Sequence, residues 1–150
     1  MKARTATLCI LTILLSLTLA ACDSEPKEPP ELRGEWRQVL SGDRDEEPDY
    51  YCIATITDDK MEIYYYFTAD GSRDLYWAGS YTPPETAKEP YTWTSENELP
   101  DPDDFKRYRY ASREETMDFT YKKGKITYTL APSQALRMIA TLERVSDETN

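Results

Sequence analysis

From residue 35 to residue 144 apolar side chains recur at every second position in short runs, and polar or Gly/Pro/Asp-rich stretches separate the runs. A period of two marks a β-strand with one buried face. The pattern predicts strands at 35–40, 50–57, 60–67, 74–81, 90–95, 106–111, 116–122, 125–130 and 136–144, and no amphipathic helix. Two hairpins test this reading, because a tight turn dictates which residues face each other. With Asp58-Asp59 as the loop, Ile56 faces Met61, Ala54 faces Ile63, Cys52 faces Tyr65 and Tyr50 faces Phe67. With Lys123-Gly124 as the loop, Tyr121 faces Ile126, Phe119 faces Tyr128 and Met117 faces Leu130. Both registers gather apolar residues on one face. The last strand alternates Leu136, Met138, Ala140 and Leu142 with Arg137, Thr141 and Glu143, and only Ile139 is out of step.

Eight or nine short antiparallel strands in sequential order predict an all-β domain over residues 32–146, followed by a tail at 147–150. Closing them into an up-and-down antiparallel β-barrel removes the exposed edges; a two-sheet β-sandwich is the alternative.

The same parity sorts the aromatic residues. Tyr65, Phe67, Trp77, Tyr108, Tyr110, Phe119, Tyr121 and Tyr128 point inward. They either fill the barrel or line a site for one small apolar or aromatic ligand, with hydroxyls as its polar contacts. Tyr51, Ile53, Tyr64, Tyr66, Tyr76 and Ala78 point outward. An apolar area of that extent suits an envelope protein partner docking at Tyr64, Tyr66 and Tyr76, or a covering by the proline-rich loop 82–104.

The start of the chain is of another kind. Lys2 and Arg4 precede an uncharged apolar run of 12 residues at 8–19, and Ala20 and Ala21 follow it. This is the layout of an export signal, too short for a spanning helix, which needs about 20 apolar residues. The segment Leu19-Ala20-Ala21-Cys22 resembles the lipobox of bacterial lipoproteins. The resemblance implies cleavage before Cys22 and a diacylglycerol on its sulfur, which would hold the protein at the cell membrane on the extracytoplasmic side. The alternative is a plain secretory signal at 1–21. Acylation makes physical sense, since each buried methylene contributes about 0.8 kcal/mol and two chains anchor where one does not. Asp23 resembles the inner-membrane retention signal of Gram-negative lipoproteins. Residues 22–31, with Pro26, Pro29 and Pro30, form an extended tether of about 30 Å.

A second resemblance lies in the domain. Gly34-Glu35-Trp36 opens the first strand and Arg144 lies near the end of the last. The pair resembles the Gly-x-Trp motif and the partner arginine of lipocalins and other calycins, which implies that Trp36 and Arg144 close one end of the barrel. The stretches at 75–81, 93–96 and 111–128 also resemble small bacterial lipoproteins of uncharacterised function, which implies no activity.

Charge and chemistry narrow the function. Apart from the leader, 16 basic face 28 acidic residues, a formal charge of −12 that repels nucleic acid. Cys9 falls in the leader and Cys22 is the lipid site, so Cys52 is the remaining thiol, and its apolar strand suits packing better than redox work. With no histidine in the chain, the commonest general base and the usual zinc ligand are missing. The acidic runs at 42–49 and 96–104 offer oxygens to calcium without the spacing of a calcium loop, so they read as solvated charge. No nucleophile elbow or phosphate-binding glycine loop is present. The expectation is a non-catalytic lipoprotein with no cofactor or metal. Its barrel binds a small ligand, or its outer tyrosines bind a protein.

Overall fold

A computed structural model describes residues 28–40, 48–99, 102–133 and 135–145. The leader, Cys22, most of the tether and most of the acidic run at 42–49 lie outside the described residues. The elements are β1 (Gly34–Gln38), β2 (Tyr50–Ile56), β3 (Lys60–Phe67), β4 (Arg73–Ser80), β5 (Tyr91–Glu96), α1 (Pro102–Arg107), β6 (Thr116–Lys122), β7 (Lys125–Ser133) and β8 (Leu136–Arg144). The strands form one antiparallel sheet in the order β4-β3-β2-β1-β8-β7-β6-β5. β1 pairs with β8 from Trp36 opposite Arg144 to Gln38 opposite Leu142, and the sheet's two edges, β4 and β5, approach each other at a bridge between Gly79 and Asn97. The result is an up-and-down barrel, closed but for one seam.

The turns set the register. Ile56 pairs with Met61 and Cys52 with Tyr65 around Asp58-Asp59, and Phe119 pairs with Tyr128 around Lys123-Gly124. Lys123 and Gly124 have φ of 51° and 78°, the two left-handed residues that a two-residue turn needs to match strand twist. Along the inner wall small residues oppose large ones: Ala54 opposes Trp36, Cys52 opposes Tyr65 and Ala140 opposes Tyr128. A narrow barrel packs to interior density only when its facing volumes compensate in this way.

Two expectations need correction. Residues 106–111 are not a strand: α1 ends at Arg107, and Arg109 and Tyr110 lie in a turn. The helix carries a signature that alternation of Tyr108 and Tyr110 concealed. Pro102 starts it, Asp103 stands in its first turn, and Lys106 and Arg107 in its last, charges that match the helix dipole. The second correction concerns Tyr76. The β3–β4 register shifts between Ile63, paired with Trp77, and Tyr64, paired with Leu75. The extra residue in β4 is a β-bulge, which turns two successive side chains to one side. Tyr76 therefore joins Trp77 inside, both at most 1% exposed.

The seam is sealed by close approach. A Cβ on Gly79 would come within 2.4 Å of Ser95 Oγ and 2.5 Å of the Glu96 carbonyl oxygen, so only glycine fits. Trp77 Nε1 donates to Ser95 Oγ at 3.0 Å, Glu96 N to Ser80 Oγ at 2.9 Å and Glu98 N to the Ala78 carbonyl at 2.9 Å. Beyond the bridge Ser112 N, after α1, donates to the Tyr76 carbonyl at 2.7 Å. Glu98 and Ser112 thus supply to β4 backbone bonds that a ninth strand would have supplied.

Candidate binding site at the open end of the barrel

One end of the barrel holds the start of β1 and the hairpins at 57–60 and 122–125. It is plugged. Trp36 is 1% exposed, donates Nε1 to the Leu32 carbonyl at 2.8 Å, and carries the Arg144 guanidinium 4.9 Å above its ring. The other fork of Arg144 fastens the incoming chain by donating Nη1 to the Arg33 carbonyl at 2.6 Å and Nη2 to the Glu31 carbonyl. Leu32 is buried beneath. Residues 28–31, assigned above to the tether, are thus folded against the barrel and line an outer cleft of about 490 Å³ with Arg33, Asp58, Tyr81, Pro83 and Pro84. Two ion pairs from Arg33, to Glu31 at 2.5 Å and Asp58 at 2.7 Å, hold that cleft's wall. The first of them draws the exposed Glu31 carboxyl down to about 2.

Toward the middle the barrel is filled by rings. Tyr91, Trp93, Phe119 and Tyr128 follow one another across three strands with centroids 5.6, 5.1 and 5.5 Å apart. Tyr121 meets Trp36 edge-on at 6.4 Å. Among these rings lies a polar knot of Cys52, Tyr65, Tyr76 and Tyr128. The Tyr76 hydroxyl crosses the barrel to accept Ala131 N at 3.0 Å, in a stretch of β7 where the pairing with β8 slips beside Pro132. Tyr128 turns its hydroxyl toward the Cys52 thiol, a weak partner at most. By hydrogen-bond geometry neither the Tyr128 nor the Tyr65 hydroxyl is satisfied. Burial raises both phenols well above their ordinary range and pushes Cys52 up to about 11, so thiol and hydroxyls are protonated at neutral pH. A protonated, buried thiol is a poor nucleophile.

Among the described residues nothing plugs the opposite end. Leu136 and Met138 fall on the inward parity of β8 yet are 48% and 39% exposed, whereas Ala140 and Leu142 further along are buried. Across from them four rings form an open-topped box. Tyr65 and Phe67 of β3 are its floor, 6.5 Å apart. Tyr50, on β2, packs on Tyr65 at 5.4 Å and Phe67 at 6.2 Å from one side. Tyr110 packs on the same two rings at 5.8 and 5.6 Å from the β4 side. Tyr50 and Tyr110 stay 40% and 41% exposed. Asp74 pairs with Tyr65 and so shares its inner face. Its carboxylate accepts backbone N–H groups from Tyr110 and Leu75, but Oδ1 is buried without a partner, and desolvation raises its pKa.

The sequence-derived ligand residues are therefore divided. Tyr65 and Phe67 reach the open end, Trp77, Phe119 and Tyr128 lie in the packed middle, and Tyr121 sits at the plugged end. Tyr108, expected inside, follows α1 on the outer side with Arg107 over its ring at 5.5 Å. On the outer wall Tyr51 and Tyr66 stack at 5.0 Å between Arg37, 4.1 Å from the Tyr51 centroid, and Arg73, 6.0 Å from that of Tyr66. Tyr64 donates to Glu62 at 3.0 Å, and desolvation first, then that carboxylate, raise it to about 12. Tyr76 has left this wall for the core, so the expected trio of partner-binding tyrosines is reduced to Tyr64 and Tyr66.

Sequence reasoning missed Tyr50 and Asp74. The first was legible from its pairing with Phe67; the second was not, since only the bulge brings Asp74 to the inner face. Among the described residues no three His, Cys, Asp or Glu side chains converge to hold a metal ion, and no helix is long and apolar enough to cross a membrane. No family model, no curated protein and no solved structure matches the chain.

Proposed function

We propose that the protein is an extracytoplasmic lipoprotein, anchored through Cys22, whose barrel is a binding module that receives a small apolar or aromatic group at its open end. The observation that carries this reading is the difference in cover. Inward-facing apolar residues are sealed along most of the barrel, but Tyr50, Tyr110, Leu136 and Met138 remain exposed together at one mouth. Exposed apolar clusters of this kind mark binding sites. The unmet hydroxyl of Tyr65 favours the same reading, because burying a hydroxyl without a partner costs about 1–3 kcal/mol that an entering group can recover.

Orientation is consistent with it. The chain enters the barrel at the plugged end, so an anchored molecule turns its open end away from the lipid. Docking of a protein on the outer wall is the second reading, carried by the half-exposed Tyr64 and Tyr66. Native mass spectrometry of the full-length protein, extracted gently in detergent, tests the first. A bound mass of a few hundred daltons that is lost with Tyr50→Ala and Tyr110→Ala is the expected result. Retention of that mass in both variants, or a bare protein throughout, overturns it. Anchoring is checked separately: Cys22→Ser should move the protein from the membrane to the soluble fraction.

A further inference from the structure

The four-ring box has a charge preference built into it. Each ring face presents the negative side of its quadrupole, and the Tyr50 and Tyr110 walls are open to solvent. Among the described residues Asp74 is the carboxylate that shares the inner face with Tyr65, and its Oδ1 lacks a donor. A neutral apolar guest would leave that oxygen unmet, and an anion would be repelled by it. A guest carrying a diffuse positive charge on an apolar surface satisfies rings and carboxylate together. The formal charge of −12 outside the leader draws such guests toward the protein.

The chain uses this chemistry on itself. Arg144 lies over Trp36, Arg37 over Tyr51 and Arg73 over Tyr66. At the box Arg109 stands 5.7 Å from the Tyr110 centroid and acts electrostatically on Asp74, without meeting its Oδ1.

We propose that the open end binds an alkylated ammonium group, seated between Tyr50 and Tyr110 on the Tyr65–Phe67 floor, with Asp74 as its counter-charge. This rests on the binding-module reading and names its ligand class. Methyl groups on the nitrogen supply apolar contact and spread the charge, so the guest needs no hydrogen bond from the rings. The raised pKa of Asp74 fits the same picture, since an arriving cation restores the charge that desolvation disfavours. Arg109 is the internal competitor at this site.

The test titrates choline, and its neutral carbon analogue 3,3-dimethylbutan-1-ol, into the full-length protein in maltoside micelles, read by tyrosine ring chemical shifts. Choline is expected to bind roughly tenfold more tightly than the alcohol, the worth of a partly desolvated cation–π contact. Tyr50→Leu should weaken choline by roughly two- to thirtyfold, the span of one cation–π contact, and leave the alcohol unchanged. Asp74→Asn should weaken choline alone, and Arg109→Ala should strengthen it. Unchanged thermal melts identify these as effects on the site rather than on folding. Equal binding of both probes with a silent Asp74→Asn overturns the cation assignment and leaves the binding module standing. No binding of either at about 10 mM, beside a different cargo in the mass spectrum, overturns the cation assignment alone. No probe binding together with a bare mass overturns both.

Discussion

The plugged and open ends of the barrel are built from the same kind of residue, large aromatics on inward-facing strand positions, and differ in what crosses over them. At the plugged end Trp36 is covered by Leu32, by the Arg144 guanidinium and by the incoming chain, and its N–H is satisfied. At the open end Tyr50, Phe67 and Tyr110 rest on Tyr65 with nothing comparable above them among the described residues, and the carboxylate beside them has an oxygen without a partner. Burial with full polar satisfaction gives stability. Partial burial with an unmet polar atom costs stability and gives a site. The two ends divide these roles.

The division can be broken most forcefully at the plug. Trp36→Ala removes a fully buried ring and leaves the Leu32 carbonyl without its donor, so it should cost about 3–5 kcal/mol. Tyr50→Ala, at a ring already 40% exposed, should cost less than about 1.5 kcal/mol. Urea unfolding of the two variants measures the contrast, and equal losses would end it.

The seam comes next. Gly79→Ala forces a methyl onto Ser95 Oγ, the Glu96 carbonyl oxygen and Trp77 Nε1, and should cost about 1–3 kcal/mol. Hydrogen exchange should rise in β4 and β5, joined by one bridge, before it rises in β1 and β8, joined by a ladder of three pairs.

Arg144→Lys is a smaller change with a local readout. A lysine keeps the charge but not the fork that reaches the Arg33 and Glu31 carbonyls while covering Trp36. The expected loss is about 1–2 kcal/mol, with faster exchange at residues 31–36 and little change at the open end.

The smallest effect has the opposite sign. Tyr128→Phe removes a buried hydroxyl without a partner and should be neutral or stabilising by up to about 1 kcal/mol. It should be costly only if a cargo that bonds this hydroxyl is present. Alkaline pH reads the same group of residues. Cys52 is raised to about 11 in the folded protein against 9.0 unfolded, and the Tyr65 and Tyr128 phenols are raised as well. A folded pKa above the unfolded one means that the folded state keeps protons the unfolded chain has released. Stability is therefore full below about pH 9 and falls as pH rises through the window to about 11. Tyr128→Phe should flatten that fall in thermal melts recorded across the window.

Much of the barrel was legible in the chain because its determinants are local. Asp58-Asp59 and Lys123-Gly124 set two hairpin registers, and the pairs Cys52–Tyr65 and Phe119–Tyr128 follow from counting outward. The candidate site was legible only in part. Tyr65 and Phe67 are on the right face at the right end, but Trp77, Phe119 and Tyr128 share their parity and lie in the packed middle. Parity says which side of a strand a residue takes; it does not say how far along the barrel the packing continues. Tyr76 and Asp74 were beyond parity altogether, since one extra residue in β4 reverses the alternation after it.

The sequence by itself determined the antiparallel order of the eight strands that form and the register of two tight hairpins, because a two-residue turn and a period of two leave little choice of register; it did not exclude the strand expected at 106–111. Tertiary structure alone decided three things: that β4 bulges, that Glu98 and Ser112 bond to β4 in place of a ninth strand, and that one end is covered while, among the described residues, the other is not. Each depends on contacts between residues far apart in the chain, such as Gly79 with Ser95, Tyr76 with Ala131 and Arg144 with Arg33. Such contacts exist only once the barrel has closed, and no window along the chain contains them.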